Sequence, residues 1–190
     1  MTNTFLIELS SWIIQDGNYP DFQRGQLAAF AVEFGAAFLT PCQPPDDHRP
    51  AAQPVENDLY QITGRVIHAT PEWQCLDMGI RVYCNHASPG HLNEGEWVQG
   101  QTGLGVDPYF YFGHFAQQQG APALIYDWWI DAIEVQTAPF VEVSPRVMAR
   151  DESQSRWEPL DRTDAWNDQG GRAAYRLTCR LNDSPPRKWL

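Results

Sequence analysis

Leu59-Tyr-Gln-Ile-Thr-Gly-Arg-Val-Ile-His68 and, after Ala69-Thr-Pro-Glu72, Trp73-Gln-Cys-Leu-Asp-Met-Gly-Ile-Arg-Val-Tyr83 decide the fold of this chain. In the first run Tyr60, Ile62, Gly64, Val66 and His68 fall on one strand face, with Gln61, Thr63, Arg65 and Ile67 on the other. In the second, Leu76, Met78, Ile80 and Val82 share a face against Cys75, Asp77, Gly79, Arg81 and Tyr83. The two runs read as an antiparallel hairpin. Gly64 in mid-strand signals a bulge or a strongly coiled strand.

Downstream, turn-rich Asn85-His-Ala-Ser-Pro-Gly90 leads to a short strand at Gly95-Glu-Trp-Val-Gln-Gly100. Val106 to Phe115 is an aromatic run that reads as a strand or as a loop packing rings onto the sheet. Leu124 to Ile133 reads as a strand, followed by an edge-like Thr137 to Pro145. Upstream, Phe5 to Ile14 reads as one strand or two with a bulge at Ser10-Ser11, and Leu27 to Phe34 as another. Alanines make a helix over Gln26–Phe38 the competing reading. Prolines at 41, 44, 45, 50 and 54 make residues 41–58 a surface loop. Near the C-terminus Ala173, Tyr175, Leu177, Cys179 and Leu181 alternate with Arg172, Ala174, Arg176, Thr178 and Arg180, the cleanest period of two in the chain.

These patterns predict a single domain over 1–190 that is mainly β: an antiparallel, partly open β-barrel or a sandwich. Its parts are an N-terminal hairpin (1–40), the proline-rich loop (41–58), the barrel body (59–145), and a polar extension ending in a strand (146–190). The body resembles an OB-type barrel in fold pattern alone. No family signature accompanies that resemblance, and it implies no activity.

Composition narrows the functions. The chain has 190 residues, 43% hydrophobic and 13% aromatic, enough for a buried core. Its formal net charge is −11, distributed as −6, −6 and +1 over residues 1–60, 61–140 and 141–190. A body this acidic repels phosphate backbones, so nucleic acid is an unfavourable ligand. No apolar run is long enough to span a membrane, and the first residues lack the basic flank of a signal peptide. A cytoplasmic location follows as the expectation, with Cys42, Cys75, Cys84 and Cys179 as free thiols.

No phosphate-binding loop, serine elbow, H-E-x-x-H or C-x-x-C occurs, so no cofactor is expected and catalysis has no obvious seat. The metal candidate is Cys84-Asn-His86 with His91, set against the favoured reading of a polar turn beside a core cysteine. The candidate acids are Asp107, Asp127 and Asp131. The last two share a face with Trp129 and could line a sugar-binding or hydrolytic cleft, whereas the plainer reading is a solvated sheet face. Tyr109, Tyr111 and Phe112 could stack ligands, pack the core or contact a protein. Arg172, Arg176 and Arg180 form a ladder that could pair with the acidic body, bind a polyanion, or meet a second subunit.

The leading expectation is a non-enzymatic, acidic interaction module that binds a basic protein. An immunity-type inhibitor of a basic toxin is one concrete form. The alternatives are the Asp/Trp cleft and an OB-like nucleic-acid binder using the C-terminal arginines.

Overall fold

The computed structural model describes residues 4–35, 39–56, 58–85 and 92–189. The protein is mainly β, with 48% strand and 10% helix. Strands in the first half are β1 (Thr4–Ser10), β2 (Leu27–Phe30), β3 (Val32–Phe34), β4 (Thr40–Cys42), β5 (Ala51–Pro54), β6 (Tyr60–Ala69), β7 (Gln74–Asp77) and β8 (Arg81–Cys84). The second half adds β9 (Trp97–Thr102), β10 (Leu104–Val106), β11 (Tyr126–Gln136), β12 (Phe140–Ser144), β13 (Val147–Arg150), β14 (Trp157–Leu160) and β15 (Ala174–Leu181). Two short helices, α1 (Ser11–Gln15) and α2 (Phe110–Gly113), interrupt them. No described helix is long and apolar enough to cross a membrane.

The chain divides into two compact units, one from residues 1–28 with 129–180, the other from 29–128 with 181–190. In the first, strands run in the order β14–β11–β15–β1. β1 pairs antiparallel with β15, from Thr4 opposite Arg180 to Ser10 opposite Ala174. Both strands bury the face their alternation marks: Phe5, Ile7 and Leu9 on one, Tyr175, Leu177 and Cys179 on the other. The expected strand or bulge beyond Ser10 is instead the helical turn α1. Ser11 N–H donates to Ala173 O, and Gln15 Nε2 donates to Ala165 O and Gly171 O. A helical turn buries both Ile13 and Ile14, which neighbouring strand positions would place on opposite faces. β12 and β13 form a separate hairpin that leaves Val143 and Val147 exposed.

In the second unit the order is β10–β3–β8–β7–β6–β9–β4, with β5 also on β6. β6 is its longest strand, paired antiparallel to β5, β7 and β9. β3 and β8 are parallel, so the sheet is mixed and not wholly antiparallel, and its pairings do not close into a barrel among the described residues. The single run expected from Cys75 to Tyr83 is a tight hairpin, β7–β8, because Asp77-Met-Gly79 turns the chain. Gly79 adopts a φ of 102°, and its N–H donates to Asp77 Oδ1. Met78 and Ile80 stay buried, so the apolar pattern survives the turn. Leu27–Phe34 is broken at Ala31 into β2 and β3, and the proline-rich loop contains β4 and β5 at strand edges, where proline is tolerated.

Gly64 has a packing reason. A Cβ there would lie 3.0 Å from the main-chain oxygen of Asp77 on β7. The register between β6 and β7 also shifts between Val66 and His68, the irregularity that a mid-strand glycine signals. Gly64→Ala is expected to destabilise the protein by about 1–3 kcal/mol in urea denaturation. Gly103→Ala, whose Cβ would meet only Leu59 Cδ2 at 3.7 Å, is the control and should stay within about 0.5 kcal/mol.

Candidate functional site: a buried acid–tyrosine cluster under an aromatic patch

Strand register in the second unit lines up Gly105, Glu33, Tyr83, Cys75 and His68 across β10, β3, β8, β7 and β6. Residues in register project to the same face of a sheet, so this face carries a row of ionisable side chains. The segment that follows β10 packs onto it. Tyr111, Phe115, Ala116 and Ala121 join Trp73, Cys75 and Tyr83 in one apolar cluster, with Trp73 stacked on Phe115 at 4.7 Å between centroids.

Asp107 fixes that segment. Its side chain has no solvent exposure, Tyr83 Oη donates to its Oδ1, and Tyr111 N–H donates to the same oxygen at 3.3 Å. Its own N–H donates to Ala31 O at 3.0 Å. Asp107 therefore joins β8 and the first turn of α2 through its carboxylate, and Ala31 between β2 and β3 through its main chain. Burial pushes its pKa up, and the hydroxyl and amide donors oppose the shift without cancelling it. Oδ2 is buried and has no hydrogen-bond partner among the described residues.

Glu33 stands one strand from this acid. Gly105 is directly opposite, and a Cβ there would lie 3.3 Å from Glu33 Cγ and Oε1, so the glycine makes room for the carboxyl. Burial, and secondarily the charge of Asp107, raise its pKa to about 7. At the other end of the row, buried His68 contacts Trp73 at 4.5 Å between centroids, and its Nδ1 lies 3.3 Å from Glu94 Oε1. Burial lowers its pKa, Glu94 opposing. Cys75 lies between, its thiol pushed up by burial.

The outer side of the same segment is aromatic. Tyr109 has a left-handed φ of 78°, and its ring lies 4.8 Å from Phe112, which meets Trp189 edge-on at 6.3 Å. Phe110 and Trp189 are 44% and 49% exposed. Tyr111, by contrast, points inward, with its hydroxyl donating to Pro122 O at 2.5 Å.

This unit contains twelve acidic and five basic residues. Asp46, Asp47, Glu56, Glu72 and Glu94 are exposed, and none of them contacts an arginine or lysine side chain within salt-bridge distance among the described residues. The nearby surface cleft, about 450 Å³, is lined by Pro44, His48, Arg65, Asp77 and Trp97. In the first unit several of the acids meet arginines. Arg176 donates to Glu134 at 2.8 and 3.1 Å, Arg180 to Asp131 at 3.0 and 3.2 Å, and Arg24 meets Asp161 at 2.8 Å.

The remaining candidate residues fall as follows. Asp127 accepts both Arg187 guanidinium nitrogens, at 2.8 and 2.9 Å, while Asp131 is held by Arg180. Four residues of strand separate these two carboxylates by roughly 13 Å. Trp129 is half-buried, and Asp107 is enclosed elsewhere with Tyr83. Two members of the arginine ladder thus carry acids of β11. Arg176 also lies over the Trp157 ring at 4.5 Å, and Arg172 shares the Phe140 ring with Arg150. Cys84 is a buried thiol at the end of β8; His86 and His91 lie outside the described residues. Among the described residues no group of three His, Cys, Asp or Glu is placed to hold a metal.

Glu33, Tyr83, Phe110 and Trp189 did not stand out in the sequence. The signal for Glu33 was present: it is the one charged residue in the apolar Leu27–Phe34 run. Comparison with protein-family models, curated proteins and solved structures found no match. Fold and site together define a mainly β protein with an acidic, aromatic-bearing unit.

Tyr83→Phe removes a donor from the buried Asp107 carboxylate. A loss of about 1–3 kcal/mol in urea denaturation is expected. The neutral double variant Tyr83→Phe/Asp107→Leu should recover part of that loss, because no charge then remains buried without its donor.

Proposed function

We propose that the protein is a non-enzymatic interaction module that binds a basic protein partner through its second unit. The observation that carries this reading is the contrast in charge matching. Asp131, Glu134 and Asp161 of the first unit are held by arginines, whereas exposed Asp46, Asp47, Glu56, Glu72 and Glu94 of the second have no arginine or lysine within salt-bridge distance among the described residues. Unmatched surface charge of one sign steers and selects a partner of the other. The exposed rings of Phe110 and Trp189 supply the apolar anchors that such contacts use. An inhibitor of a basic toxin fits this description.

With it belong two finer readings, a partly open OB-like arrangement of residues 59–145 and a cytoplasmic location. The long β6, paired on both sides and irregular after Val66, supports the first. Four free cysteines support the second, since thiols persist in a reducing compartment.

The test is capture from native extract, elution in a salt gradient, and measurement of affinity with the purified protein so released. A basic protein that elutes at high salt is expected. Its affinity should fall at least about tenfold for Asp46→Asn/Asp47→Asn/Glu56→Gln, through slower association, and about tenfold for Phe110→Ala, through faster dissociation. An affinity unmoved by both variants, or capture of nothing basic, overturns the reading.

A further inference from the structure

Glu33 and Asp107 are carboxyl groups on the same side of a sheet, one strand apart, and the enclosed one has a buried oxygen with no partner among the described residues. Asp107 N–H donates to Ala31 O, two residues from Glu33 on the same face, and two neighbouring carboxyl groups in a buried site cannot both be charged at low cost unless a cation lies between them. Neither Glu33 nor Asp107 has a basic side chain within salt-bridge distance among the described residues, and the donors to Asp107 are the neutral Tyr83 hydroxyl and the Tyr111 amide. A proton is the simplest cation that relieves the pair.

We propose that Glu33 and Asp107 hold one proton between them, and that this proton is a clasp whose release loosens the segment from Asp107 through Gln118. The segment is built to respond. It is anchored through Asp107 to Tyr83 and to the Tyr111 amide, it begins at Tyr109 in a left-handed conformation, and α2 is a single turn with no side-chain cap. A second negative charge on Glu33 acts directly on the carboxylate that makes those anchors.

The groups facing the pair are few. β3 presents Glu33 itself; β10 presents Gly105, which is uncharged; β8 presents Tyr83; β7 presents Cys75; and α2 presents Tyr111. Burial moves the Cys75 and Tyr111 ionisations upward, away from neutral pH. His68, farther along the row on β6, acts with opposite sign: burial lowers its pKa and favours its neutral form, so its protonation as pH falls opposes the closed structure.

The direction for Glu33 follows from linkage. Closed, it keeps its proton to about 7; released to solvent, it returns to its ordinary 4.5. The closed form therefore binds more protons between those values. Its advantage is complete below the ordinary value and is lost as pH rises to about 7, above which the opening equilibrium levels off. The opening constant grows at most about tenfold per pH unit inside that window.

Amide hydrogen exchange of the whole protein, read by mass spectrometry from pH 5 to 8 and corrected for intrinsic rates, tests this. Protection of the peptide spanning residues 107–118 should fall by at least about tenfold between pH 5 and 7 and then level. A β1 or β15 peptide from the other unit should lack that step. In Glu33→Gln, which keeps the shape without the charge, the fall should vanish. In Asp107→Asn it should shrink, because Glu33 loses its repelling neighbour while Oδ1 still accepts from Tyr83. Protection that is constant with pH in the unaltered protein, or a fall that persists undiminished in either variant, overturns the proposal. The readout is conformational, so it holds or fails independently of whether the aromatic patch binds a partner.

Discussion

A carboxylate enclosed without solvent must find donors inside the protein, and Asp107 is the residue on which the second unit depends for that reason. Its side chain takes the Tyr83 hydroxyl from β8 and an amide from α2, while its main chain holds Ala31 between β2 and β3. Those three attachments come from residues far apart in sequence, so the acid acts as a junction. The aromatic packing of Trp73, Tyr111 and Phe115 lies on the same face and depends on the segment that Asp107 anchors. Hydrophobic burial supplies most of the free energy there, but it has no direction. The carboxylate gives the segment a fixed position.

Charge organises the two units differently. Asp131 and Glu134 on β11 stand across from Arg180 and Arg176 on β15, close enough for two-point hydrogen bonding. Each pair is partly exposed and worth little in isolation. Their consequence is that the arginine ladder is largely committed to acids of its own unit. The second unit has twelve acids and five bases, and Arg187 is committed to Asp127. Its exposed Asp46, Asp47, Glu56, Glu72 and Glu94 have no arginine or lysine within salt-bridge distance among the described residues. The second unit thus carries −7 of the net charge of −11, and the exposed Phe110 and Trp189 belong to it.

Faces were more legible than partners. The alternation in Tyr60–His68 and in Ala173–Cys179 named the buried side chains correctly, because a period of two follows directly from strand geometry; Leu181 at the strand end is only partly buried. The sequence also marked Tyr109, Tyr111 and Phe112 as a group. It could not separate them, since a helical turn buries Tyr111 fully, leaves Phe110 exposed and packs Phe112 partly against the core. Asp127 and Asp131 looked like a pair because they share a strand face. Their arginine partners come from elsewhere in the chain, Arg187 and Arg180, and only pairing brings them near. Ser11–Gln15 was misread for a related reason: an apolar triplet fits a helical turn once Gln15 has carbonyls to reach.

The sequence by itself determined the mainly β class, the buried faces of the long strands and the acidic balance, since each depends on residue type and local spacing. The tertiary structure alone decided the parallel pairing of β3 with β8, the partners of the paired arginines, and the placing of Glu33 and Asp107 on one face. Register between distant strands is set by packing and by turns such as Asp77-Met-Gly79, and local periodicity contains no term for it. A lone glutamate in an apolar run and an aspartate before an aromatic turn become one site only when Gly105 comes opposite the first and Tyr83 reaches the second.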